Sequence, residues 1–271
     1  DPDSDRVGIM VRDKDGTYKT VTGNQTGVLL LDYLMGAMAR TGRLPEKPVA
    51  LKTIVTTEMA RAVAEAHGAA CYDTFTGFKF LAEKKDKLEA AGEGKVVFSY
   101  EESYGYMLGD FVRDKDAVTA SLLLTEMAAY YAGKGMTVLE ALQALYEKYG
   151  WYGEKTFNLV MPGLDGLADM ARLMKSLREA PPAQIAGVNV VQFKDYLDGS
   201  VVDLATGGKT AMELSGSNVL RFELADGTSI IVRPSGTEPK IKVYILTKGA
   251  DAAERDANIA KYGAWVDTLK K

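Results

Sequence analysis

Between Pro48 and Gly150 short apolar runs alternate with helical stretches, and this alternation limits the architecture more than any other feature of the sequence. VALKTIVT at 49–56 reads as a strand, and 57–67 reads as a helix closed by Gly68. A second strand follows at 69–75, then a charged helix from Phe78 to about residue 91. KVVFSY at 95–100 is apolar almost throughout, as in a strand covered on both faces of its sheet. Helices are expected at 117–131 and 138–149; Thr137 and Glu140 form a capping box for the second, and Gly150 stops it. Alternating strands and helices predict a parallel α/β sheet.

The flanks differ. Residues 7–11 read as one strand, Gly16 as a turn, and 23–27 as the opening of a helix carrying Leu30, Leu31, Leu34, Met35 and Met38 at helical spacing. One strand and one helix are too little for a stable domain. This stretch is therefore expected to be a partial α/β remnant, the tail of a preceding domain. Its uncovered Leu and Met stripe would favour a dimer. After residue 153 a strand at 155–161 leads into a helix at 165–179, with Leu167, Met170, Ala171, Met174 and Leu177 on one stripe and Pro181-Pro182 as its end. Strands at 219–224 and 229–233 flank the hairpin signal Asp226-Gly227, a third lies at 241–246, and a last helix carries Ile259, Tyr262, Val266 and Leu269. Grouped strands with flanking helices predict an α+β domain with an antiparallel sheet. The expected divisions are 1–47, 48–153 and 154–271. A length of 271 residues with 46% apolar content accommodates them.

Composition removes several functions. The net charge is −4, with no basic excess for nucleic acid or an anionic membrane. No run approaches the ~18 apolar residues of a membrane span, and the charged opening Asp1-Pro2-Asp3-Ser4-Asp5-Arg6 is not a signal peptide. A start at Asp rather than Met is expected of a chain cut from something longer. The single cysteine, Cys71, excludes an internal disulfide and fits a reducing compartment such as the cytoplasm. The single histidine, His67, rules out a multi-His metal site.

Three loops can carry chemistry. Asp1, Asp3 and Asp5 alternate in a loop and can converge on one hard cation, with Arg6 beside them for a phosphoryl oxygen; the other reading is a solvated acidic stretch. An EF-hand fails, because Arg6 and Arg12 stand where Gly and Glu are needed. Glu101-Glu102-Ser103-Tyr104-Gly105 directly follows the apolar strand, where α/β sheets place ligands, and can grip sugar hydroxyls or be an acidic turn. Arg233-Pro234-Ser235-Gly236-Thr237-Glu238-Pro239-Lys240 offers a guanidinium fork, two hydroxyls and a flexible glycine, as a phosphate nest or a rigid hairpin turn. Thr76-Gly77-Phe78-Lys79 lies at a strand-to-helix junction and Lys115-Asp116 before a helix; both lysines also fit as surface charges.

In this order the motifs resemble those of the phosphohexomutase superfamily, and within it the phosphoglucomutases of the bacterial type, over essentially the whole chain. The resemblance implies four domains around one cleft, with this chain spanning the end of the second, all of the third and all of the fourth. It implies Asp1, Asp3 and Asp5 as Mg²⁺ ligands and Arg6 and Lys115 as catalytic residues. Thr76, Glu101 and Ser103 would contact the sugar. Arg233, Ser235, Gly236 and Thr237 would hold the phosphate not being transferred. The implied reaction interconverts glucose 1-phosphate and glucose 6-phosphate through a phosphoserine and glucose 1,6-bisphosphate. That serine belongs to a TASHNP-like loop absent from this sequence, so the chain is expected to be inactive alone, with Mg²⁺ a cofactor of the longer enzyme. The alternatives are a sugar-phosphate-binding module without a nucleophile, or part of a phosphomannomutase or phosphopentomutase.

Overall fold

The computed structural model describes residues 1–163, 165–236 and 238–269. The chain forms two compact units, Asp1–Gly150 and Trp151–Lys271.

In the first unit β1 (Ile9–Arg12) and β2 (Tyr18–Val21) make a small antiparallel hairpin, where a single strand was expected. Helix α1 (Gly23–Arg40) opens on a capping box between Thr22 and Gln25. Then come β3 (Pro48–Thr53), α2 (Met59–Ala66), β4 (Ala70–Thr74), α3 (Phe78–Ala90), β5 (Lys95–Glu101), β6 (Gly105–Leu108), α4 (Ala117–Gly133) and α5 (Val138–Tyr149). The sheet order is β4-β3-β5-β6. The first three strands are parallel, as the alternation predicts, and β6 adds an antiparallel edge by folding back from β5. Residues 101–105 therefore form the turn of a hairpin as well as the carboxyl end of a parallel strand.

The uncovered stripe expected on α1 is not found. Leu29, Leu30, Leu31 and Met35 are completely buried, because α1 packs on α2, α4, α5 and β5. The expected dimer through that stripe is not supported, since of the stripe only Leu34 and Met38 remain partly exposed. Residues 1–47 are gathered with 48–150 in one compact unit.

The second unit contains β7 (Trp151–Val160), α6 (Gly166–Glu179), β8 (Gln184–Ile185), β9 (Val188–Asp195), β10 (Ser200–Asp203), β11 (Lys209–Ala211), β12 (Leu220–Leu224), β13 (Ser229–Pro234), β14 (Lys240–Gly249) and α7 (Ala252–Thr268). Its eight-stranded sheet runs β11-β10-β9-β12-β13-β14-β7, with β8 paired to β9. Every pairing is antiparallel. The core centres on Phe193, Phe222, Ile230, Val243, Tyr262 and Val266, with α6 and α7 laid on the sheet. The strands β8 to β11 have no counterpart in the sequence reading. No helix among the described residues is long and apolar enough to cross a membrane.

Candidate functional site

In the first unit four loops meet at the carboxyl end of β5. Glu101 ends that strand and is buried. One of its carboxylate oxygens accepts the Gly77 N–H and the other accepts Ser103 Oγ at 3.5 Å. Gly77 sits at φ 114°, a left-handed conformation that favours glycine, and this turn delivers its N–H to Glu101 at the start of α3. The half-buried Thr76 immediately precedes it. Glu102 Oε2 accepts Thr56 Oγ1 at 3.5 Å, from the loop after β3. Tyr104 turns the chain at φ 70°, its carbonyl accepts the Val7 N–H at 3.1 Å, and Arg6 bridges Gly105.

Lys115 enters from the loop before α4, which Asp116 caps through the N–H groups of Val118 and Thr119. Its Nζ lies 3.0 Å from Asp5 Oδ2, 3.0 Å from Asp114 Oδ1, and 5.2 Å from the Phe78 ring centroid. Burial works against the Lys115 charge, but the hydrogen bonds to Asp114 and Asp5 outweigh it and raise the pKa above the ordinary lysine value. The ammonium therefore stays charged. Gly105 makes this approach possible: a Cβ there would run into Lys115 Cδ and lie 2.8 Å from Phe78 Cε2. The Ser4 carbonyl accepts the Ala117 N–H at 3.0 Å, fixing the acidic loop against the same helix start.

The acidic loop itself does not gather as expected. Among the described residues no group of three or more His, Cys, Asp or Glu is placed to hold a metal ion. Arg6 Nη2 pairs with Asp1 Oδ2 at 2.6 Å, Lys115 takes Asp5 Oδ2, and Asp3 faces solvent. Asp5 Oδ1 is buried without a hydrogen-bond donor, with Arg6 Nε 3.5 Å away. A single buried open oxygen, with Asp3 turned to solvent, does not make the octahedral set that Mg²⁺ requires. Asp1, Asp3 and Asp5 do not converge on a metal in this arrangement, because Arg6 and Lys115 take up Asp1 and Asp5 while Asp3 faces solvent.

In the second unit the loop 234–240 joins β13 to β14. The Ser235 N–H donates to the Lys240 carbonyl at 2.8 Å, the Met161 N–H donates to the Pro239 carbonyl at 2.8 Å, and Lys240 Nζ binds the Glu238 carboxylate at 2.9 Å. Arg233 and Ser235 are half-buried and Gly236 is exposed. No carboxylate pairs with Arg233 among the described residues. Gly236 has no positive φ, and a Cβ added to it would meet nothing within 4 Å, so the fold does not demand glycine there, contrary to the flexible role expected. Thr237 lies outside the described residues.

Thus Glu101, Ser103, Thr76, Lys115, Arg6 and Asp5 are brought together in the first unit, and Arg233, Ser235 and Gly236 in the second. The sequence reading missed Thr56 and Asp114. Thr56 carries the same signal as Glu101, a polar residue just past a parallel strand; Asp114 carries none beyond adjacency to Lys115.

A parallel-stranded unit with polar loops at its strand ends, followed by an antiparallel unit with a cationic loop, defines a two-unit α/β-plus-α+β class of protein. Residues 22–149 match the family described as phosphoglucomutase/phosphomannomutase, alpha/beta/alpha domain III, and residues 161–258 match its C-terminal domain. The chain belongs to the phosphoglucomutase/phosphomannomutase family. The third-domain match takes in α1 and starts before the expected boundary at 48. The chain is 36% identical over 251 residues to a phosphoglucomutase of Staphylococcus aureus (strain N315), covering 93% of this chain and 44% of that protein. It spans less than half the length of such relatives. Among solved structures it is similar to pp63/parafusin (phosphoglucomutase) from Paramecium, with TM-score 0.64, 21% identity, and coverage of 99% of this chain and 44% of that one. It is also similar to N-acetylphosphoglucosamine mutase from Aspergillus fumigatus in complex with GlcNAc-6P and magnesium, with TM-score 0.51, 13% identity, and coverage of 99% and 48%. These two likenesses carry the fold alone.

Proposed function

We propose that this chain is the sugar- and phosphate-binding part of a phosphohexomutase that interconverts glucose 1-phosphate and glucose 6-phosphate. The observation that carries the reading is the convergence of Thr76-Gly77, Glu101, Ser103 and Lys115 at the end of β5. Glu101 accepts from ring hydroxyls, Ser103 both donates and accepts, and the charged Lys115 offsets negative charge on a phosphoryl oxygen. In the second unit Arg233 grips a phosphate bidentately, with Ser235, Gly236 and Thr237 offering hydroxyls and N–H groups. The EESYG turn favours glucose by family resemblance. Glucose 1,6-bisphosphate is the intermediate in this reading, as an Aspergillus fumigatus relative was solved with that compound. One cysteine suits the reducing cytoplasm. Magnesium belongs to the intact enzyme in the family reading; the acidic loop as arranged supports no step through it.

The phosphorylated serine loop is not in this sequence, so binding and turnover separate. Calorimetric titration with glucose 6-phosphate should give a saturable isotherm. Ser103→Ala should weaken it, and Arg233→Ala should weaken it by about 1.5–3 kcal/mol, the worth of a charge-assisted contact. A coupled assay from glucose 1-phosphate should show no turnover. An absence of saturable heat, or unchanged affinity in both variants, overturns the reading.

A further inference from the structure

The stretch Gly23-Asn24-Gln25-Thr26-Gly27, which reads in the sequence as a helix opening, starts α1. Glycine is a poor helix former, yet two glycines stand four residues apart, on one face of the first two turns. That face lies against the 101–105 turn of the candidate site. A Cβ on Gly23 would run into the Glu102 carbonyl oxygen and lie 2.9 Å from the Tyr104 nitrogen. A Cβ on Gly27 would run into the ring of Tyr100, buried next to Glu101 in β5.

Asn24, between the two glycines, is buried, and its Oδ1 accepts the Thr57 N–H at 3.0 Å. Thr57 follows Thr56, whose Oγ1 donates to Glu102 Oε2 at 3.5 Å. The first turns of α1 thus meet both loops: the 101–105 turn by backbone contact, and the loop after β3 by a hydrogen bond. The helix start is itself fixed. Thr22 and Gln25 cap each other, and Gln25 Nε2 donates to Tyr146 OH of α5 at 3.2 Å.

A plainer role for Gly23 and Gly27 is close packing of a helix on its sheet. Yet α1 already packs through Leu29, Leu30, Leu31 and Met35, all completely buried. The glycines differ from these in what they touch. At Gly23 the neighbour is main chain, which cannot rotate aside as a side chain can. It belongs to a turn in which Tyr104 holds φ 70°. That left-handed conformation costs energy in a residue with a Cβ and persists only where its surroundings impose it.

We propose that Gly23, Asn24 and Gly27 are positioning residues for sugar binding. They touch no ligand, and they set the affinity for a sugar phosphate by holding the 101–105 turn and the Thr56-Thr57 loop in one geometry. The proposal rests on the sugar-phosphate reading given above, in which Glu101 and Ser103 meet the ring hydroxyls. Those two residues flank Glu102 in the chain, so a shift of the Glu102 main chain against α1 carries both with it. A displacement of about 1 Å is enough to break hydrogen bonds of that kind.

The test is a calorimetric titration of the full chain and its variants with glucose 6-phosphate. Asn24→Leu removes the acceptor for Thr57 and should raise the dissociation constant roughly ten-fold. Asn24→Asp restores an acceptor oxygen and should bring it back to within about two-fold of the wild type. Gly27→Ala should raise it at least as far as Asn24→Leu. Circular dichroism checks that each variant is folded at the titration temperature, where a residue acting on stability alone would leave the dissociation constant unchanged. Should Gly27→Ala lose the native spectrum, the two Asn24 variants decide. Two results overturn this proposal and leave the sugar-phosphate reading standing, given saturable binding by the wild type: an unchanged constant in Asn24→Leu, or a loss there that Asn24→Asp does not restore. No saturable heat from the wild type overturns that reading and this proposal with it.

Discussion

At the scale of the residue, Asp32 shows how a half-buried carboxylate stays ionised. Burial pushes its pKa up, but hydrogen bonds from His67 and Tyr149 outweigh burial and leave it below the ordinary value. The native state therefore holds the charged form more tightly than the unfolded chain does. Stability from this group is fully present above about pH 4, the unfolded carboxyl range, and is lost as pH falls through the lower native value. Asp32→Asn keeps the shape and removes the charge, so the variant should be less stable by about 2 kcal/mol at pH 6. The difference should close as pH falls below about 4. Urea unfolding at a series of pH values measures it, and a pH-independent difference would contradict the assignment. Lys115 and Asp5 follow the same logic in the site: each is legible as a charge in the sequence, but their pairing at 3.0 Å is not, because it joins residues 110 positions apart. That pairing is also why the acidic loop reads as a metal site in one dimension and as an ion-pair cluster in three.

At the scale of the element, what could be read was what local chemistry decides. Helix α5 is bounded as expected because Thr137 and Glu140 cap each other: Thr137 Oγ1 accepts the Glu140 N–H at 3.1 Å and Glu140 Oε2 accepts the Thr137 N–H at 2.9 Å. Thr137→Ala should then cost about 1 kcal/mol, seen as a lower urea midpoint with unchanged slope. Thr137→Ser, which keeps the hydroxyl, should restore most of it. No loss in the alanine variant would mean that packing alone sets the helix start. The parallel strands β3 and β5 were legible for a related reason: buried almost throughout, they are largely apolar runs. Strands β8 to β11 were not. β8, β10 and β11 are short, and β11 is exposed at every position, so pairing at the sheet edge rather than residue preference makes them strands, while β9 is longer but mixes polar with apolar residues. β6 was hidden because its register depends on β5 opposite it. The site divides in the same way. Glu101 and Arg233 stand at strand ends and Ser103 in a turn, where the residue types announce them, whereas Thr56 and Asp114 matter through what folds beside them.

At the scale of the whole molecule, each compact unit has a core of its own. In the second, Phe193, Phe222, Ile230, Val232, Ile241 and Val243 are buried on the sheet beneath Tyr262 and Val266 of α7. Every strand of that sheet finds its partners within the same unit, so no ladder hydrogen bond is lost when it is taken alone. A polypeptide of residues 151–271 should therefore fold by itself in one cooperative step. Both tryptophans of the chain, Trp151 and Trp265, lie in this unit, so tryptophan fluorescence follows it alone while far-ultraviolet dichroism follows both units. Unfolding of the whole chain in urea should give a fluorescence curve that overlays the curve of residues 151–271. The dichroism curve should depart from it wherever the first unit melts at a different concentration. The slope provides a second check, because it scales with the surface exposed on unfolding and should be smaller for one unit than for a chain melting as a single body. If residues 151–271 lack a cooperative transition, the core gathered around Phe222 and Val243 is not sufficient, and the division at Gly150 is one of shape rather than of stability.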